Sequence, residues 1–106
     1  MPRLNAITGT AFSDAGPLPH VVHVGPGLAS LVLCLRAGQL LDAPAEDTTE
    51  TVFAVLSGRG RVVEGARTHE VVAGDVVHVL PGSGKGLRAL DDLVVLGVRS
   101  LARPAA

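Results

Sequence analysis

The residues best able to do chemistry stand in an acidic loop and in a glycine-rich turn. The stretch 42–60, DAPAEDTTETVFAVLSGRG, carries Glu46, Asp47 and Glu50 just before an apolar run. The stretch 81–86, PGSGKG, carries Lys85. Carboxylates and a lysine brought together by a fold could act as acid and base, or could form a charge pair. Asp47 and Glu50 are also explained simply as solvated loop residues.

Histidines and the single cysteine are the other candidates. His20 and His23 are three residues apart, so a strand would point them to opposite faces and prevent a shared metal. His78 lies in the strand-like run DVVHVLPG and is the best general base available if its face points inward. A core or interface histidine is the alternative. Cys34 lies in an apolar run without a Cys-His signature, which predicts an inert thiol.

Composition excludes several classes of function. The chain has 106 residues, of which 47% are hydrophobic, and this predicts one folded domain. Aromatic residues make up 2%, so the core must be built from Val, Leu and Ala, and stacking platforms for nucleic acid are nearly absent. The net charge of −1 favours neither nucleic acid nor a membrane as partner. One cysteine and no apolar leader predict a cytoplasmic protein.

Glycine and proline interrupt the chain every eight to twelve residues and leave short valine-rich runs between them. This rhythm predicts about eight strands in an antiparallel closed sheet. No window has a sustained helical period. We expect one domain over residues 1–106 with its core at about 20–102, a flexible N-terminal segment and a flexible C-terminal tail.

Two spaced motifs carry more specific information. From Gly38 the chain reads G-x5-P-x-E-x4-T-x6-G, and after fifteen residues it reads G-x5-L-x-G-x2-K-x3-A from Gly74. The spacing resembles the two motifs of the cupin family, in which a glycine frame carries His-x-His and Glu in the first motif and His in the second. The resemblance covers roughly residues 28–100. It implies an all-β fold, a single-domain cupin β-barrel with an antiparallel jelly-roll.

The metal-binding part of the resemblance is missing. The resemblance implies a metal held by three histidines and a glutamate, but those positions here carry Pro44, Glu46, Thr51 and Lys85. Proline has no donor side chain, and a protonated lysine cannot ligate a metal. We therefore predict no metal and no cofactor. Glu46 and Lys85 either pair across the barrel mouth or both extend into solvent.

Three functions stay open at this point, and whether the protein is an enzyme is among the open questions. The first is a metal-free small-molecule-binding or structural protein. Its predicted ligand-binding residues, all expected in the barrel cavity, are Glu46, Thr51, Phe53, His78 and Lys85.

The second function is a metal-independent isomerase or lyase acting on a sugar or small organic acid through His78, Lys85, Glu46 and Asp47. The third is a noncanonical metal site built from His20, His23 or His78. The resemblance also implies a homodimer, for which the run HVVHV at 20–24 could supply an edge or exchanged strand.

Overall fold

The computed structural model describes residues 2–43, 50–79 and 85–101. Within those ranges the chain forms β-strands and no helix, because its short valine-rich runs suit extended backbone with one half-buried face. The strands are β1 (Leu18–Val24), β2 (Leu28–Leu35), β3 (Leu40–Ala43), β4 (Thr51–Ser57), β5 (Arg59–Glu64), β6 (Arg67–Val72), β7 (Val76–Val79), β8 (Lys85–Ala89) and β9 (Leu93–Ser100).

Two antiparallel sheets contain these strands. One has five strands in the order β1-β2-β9-β4-β7, and the other has four in the order β3-β8-β5-β6. Neighbours that are distant in sequence, such as β2 with β9, give the jelly-roll connectivity, so the predicted all-β antiparallel jelly-roll is confirmed. The predicted closed sheet is wrong, because the described ladders end at β1, β7, β3 and β6. Packing of side chains, rather than a continuous ladder, holds the two sheets together.

The ninth strand is β3, which the sequence does not predict. Its four residues, LLDA, fall where we expect the acidic loop to begin. Cross-strand bonding to β8 makes the segment extended, with Leu41 opposite Leu87 and Asp42 opposite Gly86. Such a short strand carries too little local pattern to be recognised without its partner.

The main core lies between the two sheets. Leu33, Leu35 and Leu93 from the five-stranded sheet pack with Val62 and Leu87 from the other. All of them except Leu33 are at most 1% exposed. Full burial of one such side chain contributes roughly 1.5–3 kcal/mol, so this cluster is the main source of stability. The leucine-rich face of β2 points inward.

A second core covers the outer face of the five-stranded sheet. Val32, Cys34 and Val94 are buried there against Leu4 and Phe12 of the N-terminal segment, which we define as residues 2–16. This segment therefore packs on the sheet, whereas the sequence predicts little order for it. The reason is that the outward face of β2 is itself apolar and has to be covered.

Three glycines of the motif frame have positive φ angles: Gly38 at 90°, Gly58 at 90° and Gly74 at 98°. L-residues rarely adopt this conformation, so each of these turns favours glycine. At Gly58 the Asp92 carbonyl also occupies the place of a Cβ atom. The fourth frame glycine, Gly82, lies outside the described residues. No described segment forms an apolar helix long enough to cross a membrane.

Candidate functional site

A cavity of about 390 Å³ opens between the two sheets. Its wall is mostly apolar and contains few polar side chains, which is the usual character of a ligand pocket. Its described lining residues are Pro17, Pro19, Leu31, Leu33, Leu41, Asp42, Thr51, Phe53, Gly86, Leu87, Gly97, Val98 and Arg99.

The register of the five-stranded sheet sets the floor of the cavity. Gly97 of β9 lies opposite Leu31 of β2 on one side and opposite Phe53 of β4 on the other. We call these three residues the apolar row. A Cβ atom on Gly97 would lie 3.5 Å from Leu31 Cδ1 and 3.8 Å from Phe53 Cε1. The missing side chain of Gly97 thus leaves space between two large apolar neighbours.

A polar row lies two residues further along the same strands. Arg99 of β9 is opposite Thr51 of β4, and both line the cavity. Alternation along β9 places Arg99 on the same face as Gly97, Val95 and Leu93. Thr51 is buried, whereas Arg99 is exposed. The cavity is therefore apolar on its floor and has a hydroxyl and a guanidinium at one end.

Asp42 is the other charged residue of the wall, but its carboxylate lies on the outer face of the four-stranded sheet. Asp42, Gly86 and Val63 are opposite one another across β3, β8 and β5, and a Cβ atom on Gly86 would lie 2.9 Å from Asp42 Oδ1. The neighbouring row, with Leu87 and Val62, faces the core. Since successive side chains alternate, Asp42 points away from the core.

Two of the predicted ligand-binding residues come together in the cavity, namely Thr51 and Phe53. Glu46 and Asp47 lie outside the described residues. Lys85 is placed by its main chain, which is opposite Ala43 of β3 and Glu64 of β5. The pairing of Glu46 with Lys85 therefore stays a hypothesis.

His78 does not lie in the cavity, and the expectation that it lines the wall is corrected. On β7 the inward positions are the partly buried Val77 and the buried Val79, so alternation turns His78 to the outer face. There its Nε2 atom lies 2.6 Å from Glu50 Oε2. Both side chains are about half exposed, at 53% and 47%, and a pair of this kind contributes little to stability. Glu50, which the sequence assigns to solvent, has a specific partner.

The other histidines do not join His78. His20 and His23 are on β1 and His78 is on β7, at opposite edges of the five-stranded sheet. His20 instead contacts the N-terminal segment, where its Nε2 atom lies 3.1 Å from the Ala11 amide nitrogen and 3.0 Å from the Ala11 carbonyl oxygen. One chain thus does not assemble the predicted histidine metal site. No three His, Cys, Asp or Glu side chains converge within the described ranges.

The residues at the metal positions of the cupin motifs do not fit a typical Fe, Mn or Zn site. Such a site needs several imidazole or carboxylate ligands in defined number. Thr51, the one of the four whose side chain the structure describes, offers a buried hydroxyl. Proline and a protonated lysine stand at two of the other positions, and only Glu46 supplies a carboxylate. These four residues therefore do not supply the ligand set of such a metal.

Gly97 and Arg99 line the cavity but are not among the site residues that the sequence predicts. The run DLVVLGVRS is recognised as a strand, and its alternation already places Leu93, Val95, Gly97 and Arg99 on one face. The missing information was which face points inward. That depends on β9 lying between β2 and β4, which are far away in sequence.

Solved structures resemble this fold closely, although no family model and no curated protein matches the sequence. An RmlC-like cupin protein from Desulfovibrio desulfuricans has a TM-score of 0.83 at 24% identity, over 94% of this chain and 96% of its own. A conserved protein with a double-stranded β-helix domain from Klebsiella pneumoniae has a TM-score of 0.82 at 18% identity, over 92% and 88%. A cupin superfamily protein from Desulfitobacterium hafniense has a TM-score of 0.83 at 13% identity, over 96% and 92%.

These likenesses show that the chain has the cupin fold, as the two motifs predict. Function does not follow from them, because one fold hosts many functions.

Proposed function

We propose that this protein is a metal-free cupin that binds a small molecule in the cavity between its sheets. The observation that carries the proposal is the space beside Gly97, bounded by Leu31 and Phe53 and continuous with a polar end at Thr51 and Arg99. Its volume falls in the range of about 300 to 1,000 Å³ that is common for ligand pockets. A purely structural role would not require an apolar space of this size.

The absence of three histidine ligands supports the metal-free part of the proposal. The apolar wall offers a ligand mainly surface burial, worth about 25 cal/mol per Å² of apolar area before the cost of association. Two polar side chains at one end would orient it. The cavity therefore suits a compact molecule with a polar group at one end.

Filling the cavity tests this function. We expect cyclohexanecarboxylate, cyclohexanecarboxamide or cyclohexanol at millimolar concentration to shift the backbone amide NMR resonances of Leu31, Phe53 and Gly97 in the wild-type protein. Gly97→Val should abolish those shifts, because the new side chain projects between Leu31 and Phe53. Its first added atom makes only ordinary contacts, so the fold should persist.

Gly27→Val is the matched control. A Cβ atom on Gly27 meets no atom within 4 Å, so this variant adds the same atoms in open space and should bind like wild type. The proposal fails if none of the three probes shifts the cavity resonances of the wild-type protein. It also fails if Gly97→Val binds them as well as wild type does.

We further propose a cytoplasmic homodimer that associates through β1. This strand is an edge of the described five-stranded sheet, and it carries Val21 and Val24, which are 59% and 60% exposed. An edge strand with exposed apolar side chains is a surface on which a second chain can pair.

A further inference from the structure

We propose that the natural ligand is a small carboxylic acid in its anionic form, held by Arg99 at the cavity mouth with its apolar body on the floor. This inference rests on the proposed small-molecule function and names the class of ligand. Its basis is the charge of the cavity wall and the order of residues along β9.

The guanidinium of Arg99 is available to a ligand. Among the residues that the structure describes, Arg36 pairs with Asp14 and Asp92, and Arg59 pairs with Glu70 and Asp91. No acidic side chain of the described residues pairs with Arg99. An arginine that lines a cavity without such a partner can form an ion pair with an anionic ligand.

No described carboxylate of the wall faces Arg99 from inside the cavity. Asp42 is the only acid among the described lining residues, and its carboxylate is on the outer face beside Gly86. Arginine stays protonated throughout the accessible pH range. The cavity end is therefore electropositive and favours an anion over a neutral or cationic ligand.

The anion is best matched by a carboxylate. A guanidinium presents parallel N–H donors that bind both carboxylate oxygens, and such charge-assisted pairs are stronger than neutral hydrogen bonds. One described cation balances one negative charge, whereas a phosphate monoester carries nearly two at neutral pH. A single arginine among apolar walls thus favours a monoanion.

The ligand's body must be compact and apolar. Arg99 is two residues from Gly97 on β9, about 7 Å along the strand. The space beside Gly97 is bounded by Leu31 and Phe53. A carboxylate at Arg99 would thus place a short chain or small ring directly over the apolar row.

The test compares an acid with its neutral counterpart of nearly the same shape. NMR titration should show that cyclohexanecarboxylate binds wild-type protein about tenfold or more tightly than cyclohexanecarboxamide. In Arg99→Gln, cyclohexanecarboxamide should still bind, and the acid and the amide should bind with about equal affinity. Arg99→Lys should keep part of it, since it retains the charge without the paired donors.

Arg88→Gln is the matched control, because Arg88 is exposed on β8 and does not line the cavity. This variant should keep the full preference for the acid. Cyclohexyl phosphate is a further probe and should bind less tightly than the carboxylate.

The possible results separate this inference from the proposed function. Equal binding of acid and amide to wild-type protein overturns the carboxylate inference and leaves the small-molecule function standing. Tighter binding of the phosphate also overturns the choice of a carboxylate. If Arg99→Gln still binds the acid more tightly than the amide, Arg99 is not the source of the preference and the carboxylate inference is overturned. Absence of binding by every probe overturns both proposals.

Discussion

The two faces of the five-stranded sheet are both apolar, but they are covered in different ways. On the outer face, Cys34 is fully buried under the N-terminal segment of the same chain. On the inner face, Leu35 and Leu93 pack against the second sheet, while the space near Gly97 stays open. The outer face is thus covered by the N-terminal segment of the same chain, whereas the inner face keeps an open cavity.

The polar contacts of the two faces differ in the same way. On the outer side, Asp14 and Ser13 of the N-terminal segment bind the Arg36 and Gln39 side chains, with Arg36 Nε 2.6 Å from Asp14 Oδ1 and Gln39 Nε2 2.7 Å from the Ser13 carbonyl oxygen. On the inner side, Arg99 has no such ion pair among the described residues. The described polar groups of the outer side are thus paired within the chain, whereas Arg99 on the inner side has no described acidic partner, as the proposed binding role of the cavity requires.

The largest effect should come from the closed end of the inner face. Leu35→Ala removes a side chain that is 0% exposed, and we expect the free energy of unfolding to fall by about 3 kcal/mol. Urea unfolding measures the loss. Leu40→Ala is the control, because Leu40 is 48% exposed and its truncation should change stability by less than about 0.5 kcal/mol. Equal losses in the two variants would contradict the assignment of the core.

A smaller effect should follow from loosening the cover of the outer face. Phe12→Ala truncates a partly buried ring that packs on the outer core and lies 5.6 Å from the Arg36 guanidinium. We expect unfolding to become easier by about 1–2 kcal/mol, less than for a fully buried ring. Cys34 should also react faster with a thiol reagent, because its cover opens more often.

Ile7→Ala is the matched control for this variant. Ile7 belongs to the same segment but is 70% exposed, so its truncation should leave the labelling rate of Cys34 unchanged. An unchanged rate in Phe12→Ala would show that the segment does not protect the thiol.

The smallest effect on the fold itself should come from the sheet edge. Val24→Lys places a charge on β1, where two chains would meet, and should convert a homodimer to monomers of 10.8 kDa in sedimentation equilibrium. The unfolding free energy of the monomer should change by less than about 0.5 kcal/mol, since Val24 is 60% exposed. Val76→Lys on the opposite edge, at a side chain 68% exposed, should leave the dimer intact. A wild-type monomer at micromolar concentration would remove the dimer from the proposal.

Much of the fold could be predicted because its signals are local. Turn glycines such as Gly38 and Gly74 are fixed by the left-handed conformation that they adopt. The structure buries Leu33 and Leu35 of β2, which lie in a run that its composition already marks as a strand, and it also buries Thr51 and Phe53 of β4. The strand β3 was missed because cross-strand bonding, and not its own four residues, makes it extended.

The candidate site was predictable only in part. Thr51 and Phe53, both expected in the cavity, share one inward face of β4. For His78, alternation left two faces open, and the inward packing of the partly buried Val77 and the buried Val79 decided against the cavity. Glu50 could not be paired with His78 beforehand, because the partners are 28 residues apart and meet across the β4–β7 edge.

By itself, the sequence determined an all-β chain, the spacing of the cupin motifs and the loss of the histidine ligands. These are properties of residue identity and of short-range backbone preference, and both can be read along one segment at a time. Only the tertiary structure decided that the N-terminal segment covers Cys34, that Gly97 opens a space between Leu31 and Phe53, and that Arg99 stands at its end. Each of these depends on which distant strands become neighbours, and that is settled by the joint packing of two sheets.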